Sequence, residues 1–271
     1  MSKRKNLDPA DEYKAGIAEE ILEQIHHSHK NGNGNGNGRS HQFNDGNRND
    51  LSKLLSVSIK IKCLNERQKQ LRRAIEDKQV VIATGPAGTG KTYLSLLTAL
   101  SLMKKEPYRY QQLKLVKSLQ TLPGENPGTL PGTLEEKLDP HMISFTGNLD
   151  KILGWRSLRR ELMRQEIIEF QPLAYVRGVT IDNAIVIIDE AQNIDYHTFK
   201  TIITRIGKNC KMIFLGDVDQ IDRRVKSESC LSQVSDLFQG FEHSESVTFT
   251  AEESVRNPII PDLLNLLKGI K

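Results

Sequence analysis

A glycine-rich turn between an apolar run and a helical pattern constrains the fold of this chain more than any other feature. The segment VVIATGPAGTGKTYLSLL, residues 80–97, has the spacing G-x-x-x-x-G-K-[ST]. Glycines in such a loop let backbone N–H groups wrap phosphates at the start of a helix. The lysine would reach the β- and γ-phosphates, and the threonine hydroxyl would bind Mg²⁺. The predicted nucleotide contacts are Gly85, Pro86, Ala87, Gly88, Thr89, Gly90, Lys91, Thr92 and Tyr93.

A second apolar run, AIVIIDEAQNI, ends in the carboxylates of Asp189 and Glu190. The carboxyl ends of parallel strands meet at the ligand crevice, so Asp189 is predicted to hold Mg²⁺ together with Thr92. Glu190 is predicted to orient and polarise an attacking water, which favours hydrolysis over transfer of phosphate to a small molecule. The alternative for this acidic pair is a solvated turn. A third run, CKMIFLGDVDQID, contains Gln220, whose amide is predicted to sense the γ-phosphate.

The order of sequence patterns along the chain predicts one α/β domain with an N-terminal extension. From about residue 51, β-branched runs alternate with helical patterns, as in a parallel sheet with crossover helices. Residues 8–27 predict a short amphipathic helix, and the Asn/Gly-rich residues 29–50 predict a flexible linker. We therefore divide the chain into an extension, residues 1–50, and a P-loop domain, residues 51–271. Strands are predicted at 79–84, 113–117, 171–176, 184–189, 211–216 and 246–249, and helices at 65–77, 91–104, 155–169, 195–206, 230–238 and 258–269.

Amino-acid composition and charge exclude some classes of protein and leave others open. A net charge of +4 permits a polyanionic partner without requiring one. The three cysteines are widely spaced and indicate neither a disulfide framework nor a zinc site. The N-terminus lacks the apolar core of a signal peptide, and no apolar run approaches the length of a membrane span. These features predict a cytoplasmic protein without a membrane segment.

With these residues in view, the chain from about residue 60 to 271 resembles the PhoH family of ATPases, which are similar to the first motor domain of superfamily 1 helicases. Seven motifs carry the resemblance, in the same order along the chain. They are GPAGTGKT (85–92), LPGTLEEKLDP (130–140), PLAYVRGVT (172–180), VIIDEAQN (186–193), TRIG (204–207), GDVDQID (216–222) and SVRNPII (254–260).

The resemblance implies a three-layer P-loop NTPase domain of RecA-like fold that binds and hydrolyses ATP with Mg²⁺. It implies that Gln68 reads adenine and that Arg256 approaches the γ-phosphate. The alternatives are an exposed helix glutamine and a surface arginine. Arg177 and Arg205 also lie in matched motifs, and their roles stay open between a phosphate contact, a polynucleotide contact and a structural ion pair.

The chain departs from the family at one motif. Where family members usually carry Arg-Pro after the second strand, this chain has Lys117 and Ser118. The equivalent region faces nucleic acid in the helicases, so that contact is not carried over. The PIN nuclease domain of some relatives is also missing, and nuclease activity is not carried over either.

Three functions remain open at this point. The first is an ATPase coupled to RNA or single-stranded DNA; the second is a small-molecule kinase; the third is a nucleotide-gated assembly protein. The absence of an N-K-x-D motif argues against a GTPase. Helicases of this superfamily close two motor domains around ATP, and the motifs here cover one. We therefore expect a homo-oligomer, for example a hexameric ring, with ATP at subunit interfaces.

Overall fold

Six parallel strands form the centre of the computed structural model, which describes residues 51–118, 142–176, 178–220 and 229–255. In chain order the strands are β1 (Val80–Thr84), β2 (Gln112–Lys117), β3 (Ile168–Pro172), β4 (Ala184–Asp189), β5 (Lys211–Gly216) and β6 (Ser244–Thr248). They lie side by side in the order β3, β2, β4, β5, β1, β6. All five recorded strand pairs are parallel, so the six carboxyl ends share one edge of the sheet, which we call the carboxyl edge.

Helices cover both faces of this sheet. They are α1 (Leu51–Ser56), α2 (Glu66–Asp77), α3 (Lys91–Lys105), α4 (Ile143–Leu153), α5 (Arg156–Arg164), α6 (Leu173–Val176), α7 (Tyr196–Ile203) and α8 (Leu231–Phe238). One buried cluster joins α2, α3 and α4 to one face, and a second joins α7 and α8 to the other. Alternate residues of each central strand contribute to the two clusters, as a strand's geometry requires. The predicted three-layer α/β architecture is confirmed.

The central strands are continuous apolar runs because both of their faces are covered. Every residue of β1 and β5 is buried, as are the first five residues of β4. The predicted strands 184–189 and 211–216 are confirmed at their stated bounds, and 79–84 and 113–117 to within one residue. Thr84 pairs with Gly216, and Lys117 pairs with Asp189. These pairs bring the ends of β1, β5, β2 and β4 together at the carboxyl edge.

The predictions around the edge strand β3 are wrong. The helix predicted at 155–169 ends at Arg164, and the strand predicted at 171–176 occupies Ile168–Pro172. Glu166 has a φ of 57°, which turns the chain from the helix into the strand. Pro172 has no N–H to donate and ends the strand, after which residues 173–176 form the short helix α6. The last strand likewise begins earlier than predicted, at Ser244.

Besides α6, two of the described helices were not predicted, α1 and α4. The sequence of α4, ISFTGNLDKIL, contains Gly147 and β-branched residues, which lower its helix propensity. Its side chains Phe145 and Leu149 are fully buried, and Phe145 stacks on Phe170 of β3 with ring centroids 6.3 Å apart. Tertiary packing therefore stabilises a helix that local propensity does not indicate.

Several predictions lie outside the described residues. These are the N-terminal helix and linker within residues 1–50, the motif at 130–140, the helix at 258–269, and Arg177 and Arg256. Among the described helices, none has the length and apolarity that crossing a membrane requires. The three cysteines are free thiols.

Candidate nucleotide-binding site

The loop between β1 and α3 has a backbone that only glycine fits at two positions. Gly85 has a φ of 129°, and a Cβ added there would overlap the carbonyl oxygen of Phe249. Gly90 has a φ of 87° and immediately precedes α3; a Cβ there would lie 2.9 Å from Nε2 of Gln68. Left-handed backbone and close neighbours exclude larger residues at both sites. Glycines with this backbone immediately before a helix are typical of loops that bind phosphates through their N–H groups.

Lys91 places its charge inside this loop. Its Nζ donates to the carbonyl oxygens of Gly85, at 2.6 Å, and Pro86, at 2.9 Å, and the residue is only 9% exposed. Loop carbonyls therefore solvate the ammonium group in the position from which it would reach phosphate oxygens. Thr92 lies half-buried in the first turn of α3, and Tyr93 is 40% exposed. The side chain of Tyr93 therefore borders solvent beside the loop.

Gln68 connects helix α2 to the loop. It is 5% exposed, its Oε1 accepts from the backbone N–H of Leu64 at 2.8 Å, and its Nε2 donates to the carbonyl oxygen of Thr89 at 3.0 Å. The alternative of an exposed helix glutamine is therefore wrong. Asn65 caps α2 by accepting from the backbone N–H of Gln68 at 2.8 Å, which fixes the start of the helix at the loop. The adenine-reading role of Gln68 stays a prediction.

Asp189 and Glu190 end β4 at the carboxyl edge. Burial, and then the neighbouring carboxylate of Glu190, raise the pKa of Asp189 to about 6, and the ammonium groups of Lys117 and Lys91 oppose this rise. Glu190 has a φ of 58°, so the chain turns sharply there. Its Oε2 accepts from Nε2 of Gln192 at 2.7 Å, and its Oε1 lies 3.9 Å from Nζ of Lys117. One oxygen of the Glu190 carboxylate therefore accepts a hydrogen bond from an amide, and the other faces an ammonium group.

Gln192 is a site residue that sequence reasoning missed. It is 2% exposed, and while its Nε2 donates to Glu190, its Oε1 accepts from the backbone N–H of Asp217 at 3.1 Å. A Cβ added to Gly216 would lie 2.9 Å from that oxygen, so a larger residue there would displace the Gln192 side chain. Gln192 thus connects the end of β4 to the end of β5. The only signal in the sequence was an amide two residues after the acidic pair.

The end of β5 approaches the loop through Asp217. This residue is 7% exposed, and burial raises the pKa of its carboxyl group. A hydrogen bond from the backbone N–H of Asp219, the charge of Lys91 and a hydrogen bond from the backbone N–H of Ala87 act to lower that pKa. Gln220 lies further along the chain, exposed in the 3₁₀ turn Val218–Gln220. In the part of the chain that the structure describes, the amide that contacts Glu190 is Gln192. Gln220 as the γ-phosphate sensor stays a prediction.

Three further residues from the sequence motifs remain to be placed, namely Arg205, Lys117 and Arg256. Arg205 follows α7 at the edge opposite to the carboxyl edge, where its guanidinium donates to the Thr201 carbonyl and the Thr204 hydroxyl. Lys117 lies beside Glu190. Arg256 is outside the described residues, but the preceding residue, Val255, donates its N–H to the carbonyl oxygen of Gly88 at 2.9 Å. The chain after β6 therefore returns to the phosphate loop.

Comparison with known proteins agrees with this geometry. The family of PhoH-like proteins matches residues 60–268. The chain belongs to the PhoH family. A PhoH-like protein of Bacillus subtilis is 36% identical over 211 residues, and the protein PhoH of Escherichia coli K12 is 38% identical over 201 residues. These matches cover 76% and 72% of this chain, but 63% and 54% of the relatives. This chain thus spans between half and two thirds of each relative's length.

Solved structures that align with this chain do so at low sequence identity and with TM-scores below 0.5. The large terminase of a thermophilic bacteriophage aligns with a TM-score of 0.41 and 12% identity over 72% of this chain and 48% of the terminase. The Pif1 helicase of Candida albicans aligns with a TM-score of 0.37 and 18% identity over 77% of this chain and 44% of the helicase. The predicted P-loop NTPase fold rests on the parallel strand order of this chain and on the glycine-rich loop that follows β1.

The residues at the carboxyl edge fit a nucleotide and Mg²⁺. The loop could offer backbone N–H groups and an ammonium group to phosphates, and Asp189 and Thr92 carry hard oxygen atoms of the kind that Mg²⁺ prefers. Within the described ranges, no three or more His, Cys, Asp or Glu side chains come together as a metal cage. That donor set suits an ion held by one carboxylate, one hydroxyl, waters and substrate phosphates.

Proposed function

We propose that this PhoH-family domain binds ATP with Mg²⁺ and hydrolyses it. The observation that carries the proposal is the pair of contacts made by the Glu190 carboxylate, one with the amide of Gln192 and one with the charge of Lys117. Glu190 lies beside Asp189, at the edge of the sheet where the phosphate loop lies. A carboxylate held in this way is suited to receive a proton from water. Its orientation does not depend on an acceptor substrate, which favours hydrolysis over transfer to a metabolite.

Each part of the site has a separate task in this proposal. The loop N–H groups and Lys91 bind the phosphates, and Thr92 and Asp189 hold Mg²⁺. When bound, the ion neutralises charge that develops on the phosphate oxygens. Glu190 orients the attacking water, and Gln192 keeps the Glu190 carboxylate in place. Gln68 is placed beside the loop, where it is proposed to favour adenine over guanine.

Coupling to RNA or single-stranded DNA is the second part of the proposal. Support comes from the family's helicase-like motif order and from the excess of basic side chains in the chain. ATP turnover measured with and without each polynucleotide, at two salt concentrations, tests it. We expect stimulation that weakens at the higher salt, because phosphate contacts are lost to counterions. Equal rates with and without every polynucleotide would contradict this part and leave the ATPase proposal intact.

Assembly as a homo-oligomer is the third part. Tyr175 lies in α6, directly after the carboxyl end of β3, and is 60% exposed. An exposed aromatic side chain near the edge that carries the nucleotide site suits a contact with a second subunit, which would complete the site in a ring. Light scattering on the eluting protein in the presence of Mg-ATP is expected to give a mass several times that of the chain. A strict monomer under these conditions would contradict this part.

A nucleotide-gated assembly protein is the second candidate function. The observation that favours it is the hydrogen bond from Val255 to Gly88, together with the one from Nδ2 of Asn65 to the carbonyl oxygen of Glu253 at 3.3 Å. Through these contacts a bound nucleotide would alter the chain after β6 without any turnover. Normal behaviour of a Glu190→Gln variant, with loss of function in Lys91→Ala, would favour this candidate over the ATPase.

A further inference from the structure

Basic side chains are concentrated in two segments of the described chain. Residues 51–73 contain seven Lys or Arg and one acidic residue, and residues 150–164 contain five and two. The whole chain carries a net charge of only +4, so the remainder is net negative. A charge distribution this uneven is the electrostatic footprint of a surface for a polyanion rather than of an ordinary solvated exterior.

The two segments meet where α1 lies beside α5. An ion pair of 2.9 Å between Nζ of Lys53 in α1 and Oε1 of Glu161 in α5 joins them. Both segments also pack on the same buried cluster, through Leu54, Leu71 and Leu162. They therefore share the side of the sheet that α2, α3 and α4 cover.

The chain between α1 and α2 exposes lysines along this side. Val57, Ile59 and Ile61 are partly buried against the core, and the alternate residues Lys60 and Lys62 are exposed. This alternation directs the ammonium groups outward along the segment. A hydrogen bond from Nζ of Lys104 to the carbonyl oxygen of Val57 attaches this segment to helix α3.

Helix α5 exposes a row of arginines. Arg156, Arg160 and Arg164 follow one another at four-residue spacing, which places them on one helix face. The Arg156 side chain is 81% exposed and pairs with Asp150 at 3.4 Å, and that of Arg164 is 72% exposed and pairs with Glu161 at 2.8 Å. No ion pair of Arg160 with another described residue is present. Trp155, immediately before the helix, is 73% exposed.

We call this surface the basic face, and define it by Lys53, Lys60, Lys62, Lys69, Arg73, Trp155, Arg156, Arg160 and Arg164. It also contains a shallow depression of about 380 Å³, lined by Cys63, Lys69, Arg72, Arg73 and Glu76. The depression opens on α2, on the face of the sheet and away from Asp189 and Glu190 at the carboxyl edge.

We propose that the basic face binds single-stranded RNA, with phosphates on the lysines and arginines and one base stacked on Trp155. The inference rests on the proposed function and gives a location to its polynucleotide. Exposed aromatic rings beside arginines are how proteins hold the unstacked bases of single-stranded RNA. An anionic membrane would need an amphipathic helix with a free apolar side. In α5 that side, with Leu158, Leu162 and Met163, packs into the core.

Two variants separate the two kinds of contact. Arg160→Gln removes one exposed charge, and Trp155→Ala removes the stacking surface. The matched control is Lys208→Gln, which removes one exposed charge from the loop before β5. Binding of a fluorescent 20-residue oligo(U) RNA to the full chain is measured by anisotropy over a range of salt concentrations.

We expect Arg160→Gln to weaken binding about fivefold and to reduce the slope of log Kd against log salt by about 0.7. Trp155→Ala is expected to weaken binding about tenfold with an unchanged slope. Lys208→Gln is expected to bind as the wild type does. Oligo(U) RNA is expected to bind at least as tightly as oligo(dU) DNA.

Several results would overturn the inference. They are wild-type RNA affinity in both Arg160→Gln and Trp155→Ala, tighter binding of the DNA strand, or loss of binding to anionic vesicles, but not to RNA, in these variants. Thermal unfolding of each variant shows that the fold is intact. Basal ATP turnover without RNA is measured on the same samples, and is expected to equal that of the wild type in all three variants. Absent turnover with intact RNA binding would therefore contradict the proposed ATPase and leave the basic face standing.

Discussion

Gln192 shows how one side chain ties the proposed catalytic carboxylate to the neighbouring strand. Its two amide atoms are both used, one by Glu190 and one by the backbone of Asp217. The second contact is not local to a single secondary-structure element, since 25 residues separate Gln192 from Asp217. The side chain is buried, so the pair of hydrogen bonds restricts the rotamer of Glu190 and leaves little freedom for the water that Glu190 would orient.

Replacing Gln192 by alanine is expected to lower kcat for ATP hydrolysis by about ten- to a hundredfold, because Glu190 loses its amide partner and the Asp217 N–H is left buried without an acceptor. KM for ATP is expected to change less than about twofold, since the phosphate contacts stay. Gln239→Ala, an exposed amide at the end of α8, is the control. A series that includes Gln220→Ala tests which amide acts on turnover; full activity in Gln192→Ala would contradict the role given to it here.

Lys211 is a buried lysine whose protonation affects the stability of the fold. It is 3% exposed, its Nζ donates to the carbonyl oxygen of Lys78, and burial lowers its pKa to about 8. The unfolded chain therefore binds a proton more tightly than the folded chain. The resulting loss of stability is complete below pH 8 and disappears as the pH rises towards 10.5.

We therefore expect Lys211→Met to stabilise the protein by about 2 kcal/mol at pH 7, with the gain shrinking between about pH 8 and 10.5. Urea unfolding of both proteins at pH 7 and pH 10 measures the difference. A variant that is less stable than the wild type at both values of pH would show that the hydrogen bond to Lys78 outweighs the burial of charge.

At the scale of elements, helix α2 holds the phosphate loop from the side. Asn65 begins the helix, Gln68 reaches the loop, and the same Asn65 also donates to Glu253 after β6. Three segments that are far apart in sequence therefore meet at one helix terminus. A change at the cap acts on the loop as well as on the helix.

Asn65→Ala is expected to destabilise the protein by about 1 kcal/mol, as loss of a helix cap does. It is also expected to raise KM for ATP several-fold, because Gln68 and the loop lose a fixed position. Asp195→Ala removes the cap of α7, on the opposite face of the sheet, and supplies the matched control: a similar loss of stability without a change in KM. Equal KM values in both variants would contradict a role of α2 in nucleotide binding.

The elements that sequence reasoning predicted well are those whose burial is uniform. The runs VVIAT, AIVIID and KMIFLG become β1, β4 and β5 because helices cover them on both sides. The edge strand β3 is only partly buried after its first residue, so its pattern was ambiguous and the prediction shifted. The contacts of Lys117 with Glu190 and of Gln192 with Asp217 could not be assigned from sequence, since they depend on the order of strands in the sheet.

At the scale of the whole molecule, the nucleotide site and the basic face lie on different parts of one domain, and the chain after β6 touches the site. Val255 donates to the loop at Gly88 in the structure, so its amide reports on the loop. We expect Mg-ATP to slow amide hydrogen exchange across residues 249–255 several-fold, and Lys91→Ala to remove this effect. Unchanged exchange with saturating nucleotide would contradict a connection between the loop and this segment.

ATP turnover of the wild type beside Glu190→Gln and Lys91→Ala tests the central claim most directly. The account predicts that Glu190→Gln binds ATP as tightly as the wild type but turns it over at least about a hundredfold more slowly, because the water loses its base. Lys91→Ala is predicted to lose binding itself, since a main phosphate contact is removed. A wild-type rate of hydrolysis in Glu190→Gln would contradict the account.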